Sequence, residues 1–345
     1  MTDPNSDASH LAEQKLADAR HSRDRGEIGK ALALVVESIR LGNQDAVWEL
    51  AELYQSTGDT QRAIEVYEGL VAAGEANAHV EISVLEIERD NLAAAEKAAL
   101  AGLNAGDIEC AALLGSLRYD RGDLAGAEDA YLAGANANDE TSIHNLAAMC
   151  RERGAIDRAI ELFQQALALN HAGSGWPLGM LLYEQEDREG ALAAIERGIE
   201  LGDGSAACML GAIYAHEGDA EAEKAAYRRG IALGDGMSAG NLGHVLRAEG
   251  DEVGALKAFQ VGADLGYADS IAVLVVDLID KGDTDGAFKL LDEHHDVVDG
   301  QLCFVRGLVH VERDEIEAAK EAFRAGYDLG DSQAANNLGH FLRLE

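Results

Sequence analysis

The sequence predicts an all-α fold, an α-solenoid of stacked helix pairs, and three observations predict it. The phrase NLGHVLRAEGD at 241–251 returns as NLGHFLRLE at 337–345, 96 residues further on. Glycine and asparagine recur every 32 residues along two ladders, with no insertion or deletion to break the register. Between the rungs, small and large apolar residues keep fixed columns at spacings of three and four, which place each set on one helix face. Self-similarity at such a period marks an array in which each unit buries its apolar face on the next.

The elements follow in order. One ladder reads Gly42, Gly74, Gly106, Asn138, Asn170, Gly202, Gly234, Gly266, Val298, Gly330. The other reads Gly26, Gly58, Asp90, Gly122, Gly154, Glu186, Gly218, Gly250, Gly282, Asp314. Most of these residues tolerate a left-handed helix C-cap. Aspartate follows at Asp59, Asp107, Asp123, Asp203, Asp219, Asp235, Asp251, Asp283 and Asp331, where it can cap the next helix. Each 32-residue unit is therefore two short helices joined by two tight turns. In the first helix a leucine column (Leu50, Leu114, Leu146, Leu178, Leu210, Leu242, Leu274, Leu338) is broken at Arg306, and a small-residue column runs beside it (Ala51, Gly115, Gly179, Gly211, Gly243, Gly307, Gly339). In the second helix an alanine column (Ala31, Ala63, Ala127, Ala159, Ala255, Ala319) stands four residues before a large one (Tyr67, Tyr131, Phe163, Tyr227, Phe259, Phe323). About ten units and a final half unit result. Repeat one (10–41) departs most from the columns, as an N-terminal cap should, and 332–345 forms a C-terminal capping helix. Residues 1–8 are expected to be disordered, and 9–345 to be a single solenoid without a linker.

Composition narrows the class. The 345 residues carry a net charge of −35, with 47% hydrophobic but only 5% aromatic residues and two prolines. Small-residue helix packing suits that profile better than strands do. So acidic a surface repels phosphate backbones, which argues against nucleic acid, and attracts basic partners. Cys110, Cys150, Cys208 and Cys303 are far apart without a C-x-x-C pair, as reduced thiols of a cytoplasmic protein would be. The polar MTDPNSDASH start is no signal peptide, and the run IAVLVV at 271–276 is too short to span a bilayer.

Leu-Gly in the first helix followed by Ala-x3-Phe/Tyr in the second, as in NLGHVLRAEGDEVGALKAFQVG (241–262), resembles the tetratricopeptide repeat. The unit lacks that family's closing proline and has 32 residues instead of 34. Its ending, AYRRGIALGDGMSAGNLG (226–243), is more similar to Sel-one-like repeats. The resemblance covers about residues 10–345. It implies a right-handed superhelix whose first helices line a concave surface that binds a protein or peptide.

Motifs of other chemistry are weak. GDGSAA (202–207) and GDGMSA (234–239) resemble a phosphate loop but follow helices, not strands, and read as turns. LDEHHDVVD (291–299) gathers metal-ligand types where a turn has degenerated, and a solvated irregular turn is the simpler reading. HAGSGWPLG (171–179) holds Ser174 without a nucleophile elbow; its glycines and Pro177 are expected to start that unit's first helix late. No catalytic residue, cofactor or metal site is assigned, and the chain reads as a non-enzymatic scaffold.

On the resemblance, first-helix residues outside the packing columns form the groove. They include Trp48, Tyr119, His144, Asn145, Arg151, Trp176, Tyr183, Asn241, His244, Arg247, Asn337, His340 and Arg343. Asn145, Asn241 and Asn337 recur every third unit, each followed six residues later by Arg151, Arg247 or Arg343. Asparagine in N-L-G resembles the residue with which tetratricopeptide grooves hold a ligand backbone; the plain alternative is helix capping and local ion pairing. Two functions follow as expectations. One is a groove for a peptide or protein, basic in one version, anchored by Trp48 and Trp176. The other is an acidic surface that acts as decoy for a basic nucleic-acid-binding protein. Self-association through the C-terminal helix is a further expectation.

Overall fold

The structure, a computed structural model, describes residues 4–342, and all regular structure among them is helical. Its internal contacts group into two compact units, one ending at Leu169 and one beginning at Asn170. The first unit holds α1 (Pro4–Asp24), α2 (Ile28–Arg40), α3 (Asp45–Ser56), α4 (Thr60–Ala73), α5 (Ala78–Glu88), α6 (Leu92–Asn104), α7 (Glu109–Asp120), α8 (Leu124–Asn136), α9 (Glu140–Glu152) and α10 (Ile156–Ala168). The second holds α11 (Gly175–Glu184), α12 (Arg188–Glu200), α13 (Gly204–Glu217), α14 (Ala220–Ala232), α15 (Gly236–Ala248), α16 (Glu252–Asp264), α17 (Ala268–Asp280), α18 (Thr284–Glu293), α19 (Gly300–Glu312), α20 (Ile316–Asp328) and α21 (Ser332–Leu342). Helix α1 starts inside the 1–8 segment expected to be disordered, with Pro4 at its first position, where a missing N–H costs nothing. Residues 1–3 lie outside the described residues.

The turns form where the ladders put them. Among the described residues every positive φ falls on a rung: fourteen glycines, with Asp90, Asn138, Asn170, Glu186 and Asp314. Val298 is the one rung without it, and it stands 79% exposed in a broken turn. There α18 stops after ten residues, at Glu293. The early stop leaves the Leu291 carbonyl without the N–H of a further turn, and Arg306 Nη2 donates to it at 2.9 Å. The break in the leucine column is therefore a side-chain cap for a shortened helix.

Aspartate starts the helices as expected. Asp59, Asp123, Asp187, Asp219, Asp251 and Asp283 each accept from the N–H three residues on at second helices. Asp139, Asp203, Asp235, Asp299 and Asp331 cap first helices in the same way. Part of the chain's acidity is thus spent on its turns. The unit at HAGSGWPLG starts late, as the glycines and Pro177 predict: Ala172–Ser174 is one 3-10 turn, and α11 begins only at Gly175.

Packing explains the columns. A Cβ on Gly243 would stand 2.7 Å from Phe259 Cε1, and Gly115, Gly211 and Gly307 face Tyr131, Tyr227 and Phe323 equally closely. The missing side chain is the slot that receives each buried ring. Between units, Gly134, Gly230 and Gly262 admit Ser142, Ser238 and Ser270 of the next first helix. The G-D-G phrases have the same origin: a Cβ on Gly204 or Gly236 would lie 2.9 Å from Asp235 Cβ or 3.0 Å from Tyr267 Cβ. They are close-stacked turns.

Candidate partner-binding face

Within each unit, first helices pack on first helices two elements away, α5 on α7 and α7 on α9, and α11 through α21 likewise. Among the described residues no pair of second helices approaches to a comparable extent. Curvature brings together the elements on its inside, so the first helices form the inner face of each unit, as the resemblance implied.

The inner face of the first unit carries a cleft of about 660 Å³ across α5, α7 and α9. Val80, Val84, Ile108 and Leu113 give it an aliphatic lining, and Glu109, Asp139 and Glu140 an acidic one. Asn145 stands where it meets a second cleft of about 240 Å³, lined by Ser116, Tyr119, Tyr131 and Glu152. The Tyr119 hydroxyl donates to Glu152 Oε2 at 2.6 Å, and that bond to a carboxylate raises the phenol's pKa. His144 meets Phe163 edge-on at 5.3 Å. Arg151, half-buried on the same helix, has no ion-pair partner among the described residues. Trp48 stands apart from these. It is half-buried against the core around α3–α5, edge-on to Tyr67 at 5.6 Å.

In the second unit a cleft of about 300 Å³ crosses the first helices, lined by Arg247, Val273, Val276, Gln301, Phe304 and Gln333. Arg247 lies over the Phe259 ring at 4.8 Å and reaches Glu252 at 3.4 Å. His244 Nε2 pairs with Asp269 Oδ2 at 2.8 Å, its ring 4.9 Å from Phe259. The recurring asparagines diverge in use. Asn241 donates to the Cys208 thiol of the preceding first helix at 3.3 Å, and Asn337 donates to Gln333 O of its own helix at 2.9 Å. Trp176 and Tyr183 pack on the core around Ile195 and Leu210, Tyr183 also meeting His216 Nδ1 at 3.3 Å. His340 is exposed beside Phe341, and Arg343 lies outside the described residues.

Sequence reasoning passed over the aliphatic cleft linings and Glu81. The signal was present in the asparagine column itself: stepping by 32 through Asn145 and Asn241 also meets Glu81, Leu113 and Val273. Glu81 is half-buried, and no described residue bonds its side chain. Burial first, then Glu52 and Glu109, raise its carboxyl pKa.

His171 Nδ1 lies 3.0 Å from Ser174 Oγ, but Ser174 is fully buried and no substrate reaches it. Burial pushes the Cys110 thiol up to about 12, with Asp107 adding to it. In the 291–299 segment Asp299 is occupied as a helix cap and His295 turns to the Asp292 carbonyl. Among the described residues no three His, Cys, Asp or Glu side chains group as metal ligands. No helix among them is long and apolar enough to cross a membrane.

Residues 49–81 and 142–174 match the tetratricopeptide repeat model. No curated protein matches the chain. Among solved structures it is similar to c5321 of uropathogenic Escherichia coli, a protective antigen with an SLR fold, at 17% identity over 95% of this chain and 79% of that one, TM-score 0.50. It is also similar to yeast Tom70 (12% identity, 96% and 95% covered, TM-score 0.42) and to a tetratricopeptide repeat protein from Parabacteroides merdae (15% identity, 76% and 97% covered, TM-score 0.38). Residues 49–81 and 142–174 are thus similar to tetratricopeptide repeats, and the glycine ladders and ring-in-slot pairing carry the same helix-pair architecture along the rest of an all-α repeat fold like that of the SLR protein.

Proposed function

We propose that the chain is a non-enzymatic scaffold that holds a protein or peptide partner on the face made by its first helices. One observation carries this reading. In both units the first helices of successive repeats open a cleft lined by both aliphatic and polar side chains. Such a surface gains by excluding water, and its polar groups fix which partner fits. Asn145, Tyr119 and Glu152 supply polar groups in the first unit, and Arg247 and Gln301 in the second. Trp48, Trp176, Asn241 and Asn337 serve the fold first, which the contacts above support.

The test is affinity capture from the native source with wild type and with Val84→Lys and Val276→Lys, which change exposed lining residues and leave the core alone. A partner retained in high salt and lost in one variant bears the reading out. A partner lost in salt but kept by both variants favours the acidic decoy instead, because exposed charges are screened over about 10 Å at 0.1 M salt.

A further inference from the structure

We propose that the α5–α7–α9 cleft docks a partner segment carrying one lysine or arginine flanked by aliphatic residues. This rests on the scaffold reading and adds the chemistry of the ligand. The lining of Val80, Val84, Ile108 and Leu113 leaves apolar surface in water, with Val84 36% exposed. Covering such surface gains about 25 cal/mol per Å², so an aliphatic occupant is favoured there.

Charge selects the rest of the occupant. No lysine or arginine lines the cleft, whereas Glu109, Asp139 and Glu140 do. Glu81 does not itself line the cleft but stands beside it on α5, between the lining residues Val80 and Val84 in sequence, half-buried and unpaired, with Glu52 and Glu109 near enough to act on it. Other carboxylates of this unit find cations within the chain. Glu49 pairs with Arg20 and Arg23, and Glu96 with Arg118 and Arg121. A half-buried carboxylate that the chain leaves without a cation is destabilising until one arrives. A lysine or arginine suits the place on two counts, since its charged head would meet Glu109 on the lining, within the field of Glu81 beside it, while its methylene stem lies along Val84. An anionic ligand such as a phosphate chain would meet only like charge. A free amine or metal ion would leave the aliphatic lining uncovered.

The test uses the full chain and fluorescein-labelled synthetic peptides, read by fluorescence anisotropy. The parent peptide has a single lysine between pairs of leucines in a glycine-serine background. Companions replace the lysine with arginine, acetyl-lysine or glutamate, or the leucines with serine. The lysine and arginine peptides should bind, and acetyl-lysine and glutamate should each weaken binding by about tenfold or more. Glu81→Gln/Glu109→Gln should weaken the lysine peptide by at least about fivefold. Asp18→Asn/Asp129→Asn, which removes the same charge from exposed positions elsewhere in that unit, should leave it unchanged. Equal loss in both double variants would reduce the effect to the chain's general field and overturn the proposal, as would failure of every peptide to bind. Leucine-dependent binding that ignores the lysine would overturn the charge chemistry while leaving the scaffold reading in place. That reading fails separately, if capture returns no partner that depends on either cleft.

Discussion

Gly243 and Gly339 occupy the same column in α15 and α21, yet alanine should act oppositely at the two. At Gly243 the new Cβ would stand 2.7 Å from Phe259 Cε1 and 2.8 Å from Cδ1 and Cζ. Carbon atoms pack at about 3.5–4.0 Å, so three ring atoms are overlapped by roughly 1 Å. Phe259 is 0% exposed, and Arg247 and His244 stand at 4.8 and 4.9 Å from its ring, so it has little room to retreat. Overpacking of this kind costs about 1–3 kcal/mol, and the better helix propensity of alanine returns about 1. Gly243→Ala should therefore destabilise by up to about 2 kcal/mol. At Gly339 nothing lies within 4 Å of the added methyl, because no second helix covers that position among the described residues. Only the propensity gain remains there, about 0.5–1 kcal/mol in favour of the variant. Urea unfolding followed by circular dichroism should separate the variants, with amide exchange in α15 and α16 as a local readout, since solenoid stability is roughly a sum over units. A Gly243→Ala midpoint at or above wild type would refute the ring-in-slot account of the small-residue column.

Glu186 holds a left-handed turn at φ 63°, which costs a side-chain-bearing residue about 1–2 kcal/mol, so Glu186→Gly should raise the unfolding midpoint by the equivalent of about 1 kcal/mol. Asp235 caps α15 through Ser238 N, and Asp235→Ala should cost about 1 kcal/mol by the same assay while Asp235→Asn keeps most of the stability. The Glu81 carboxyl is held above its ordinary 4.5 by burial, then by Glu52 and Glu109, and the Tyr67 phenol is raised by its own burial, then by Glu81 and Glu52. A carboxyl raised in the folded state subtracts stability above that raised pKa and returns it as pH falls towards 4.5. Glu81→Gln should accordingly be more stable than wild type at pH 7, with the gap closing below pH 4.5; a gap constant across that range would count against an ionised, unpaired Glu81. Cys110, fully buried with its thiol pushed up to about 12, should resist iodoacetamide at pH 8 in the folded chain while the half-buried Cys150 and Cys303 react faster, as mass spectrometry of the alkylated peptides would show.

Much of the fold was legible because its determinants are local or lie within one repeat. A left-handed turn needs Gly, Asn or a tolerant polar residue at one position, and an N-cap needs Asp at the next; both can be read from a single ladder. The small and large columns are equally direct, since Gly243 and Phe259 sit 16 residues apart within one helix pair. The shortened α18 was visible as a missing glycine at Val298, although its remedy, Arg306 on the Leu291 carbonyl, was not.

The candidate site was legible only in part. Asn145, Tyr119 and Arg247 do border clefts, but Asn241 is committed to Cys208, Asn337 to its own helix and Trp48 to the core. Those asparagines share a column and differ only in what the neighbouring repeat presents to them. Val80, Val84 and Leu113 look like any other aliphatic residues in sequence, and their exposure depends on how far adjacent first helices splay. The sequence by itself determined the period, the caps and the pairing of helices, because those are short-range demands of backbone conformation and side-chain size. Only the tertiary structure decided where the clefts open and which carboxylates find a cation, because these depend on the summed geometry of packed repeats and on nothing that one repeat encodes alone.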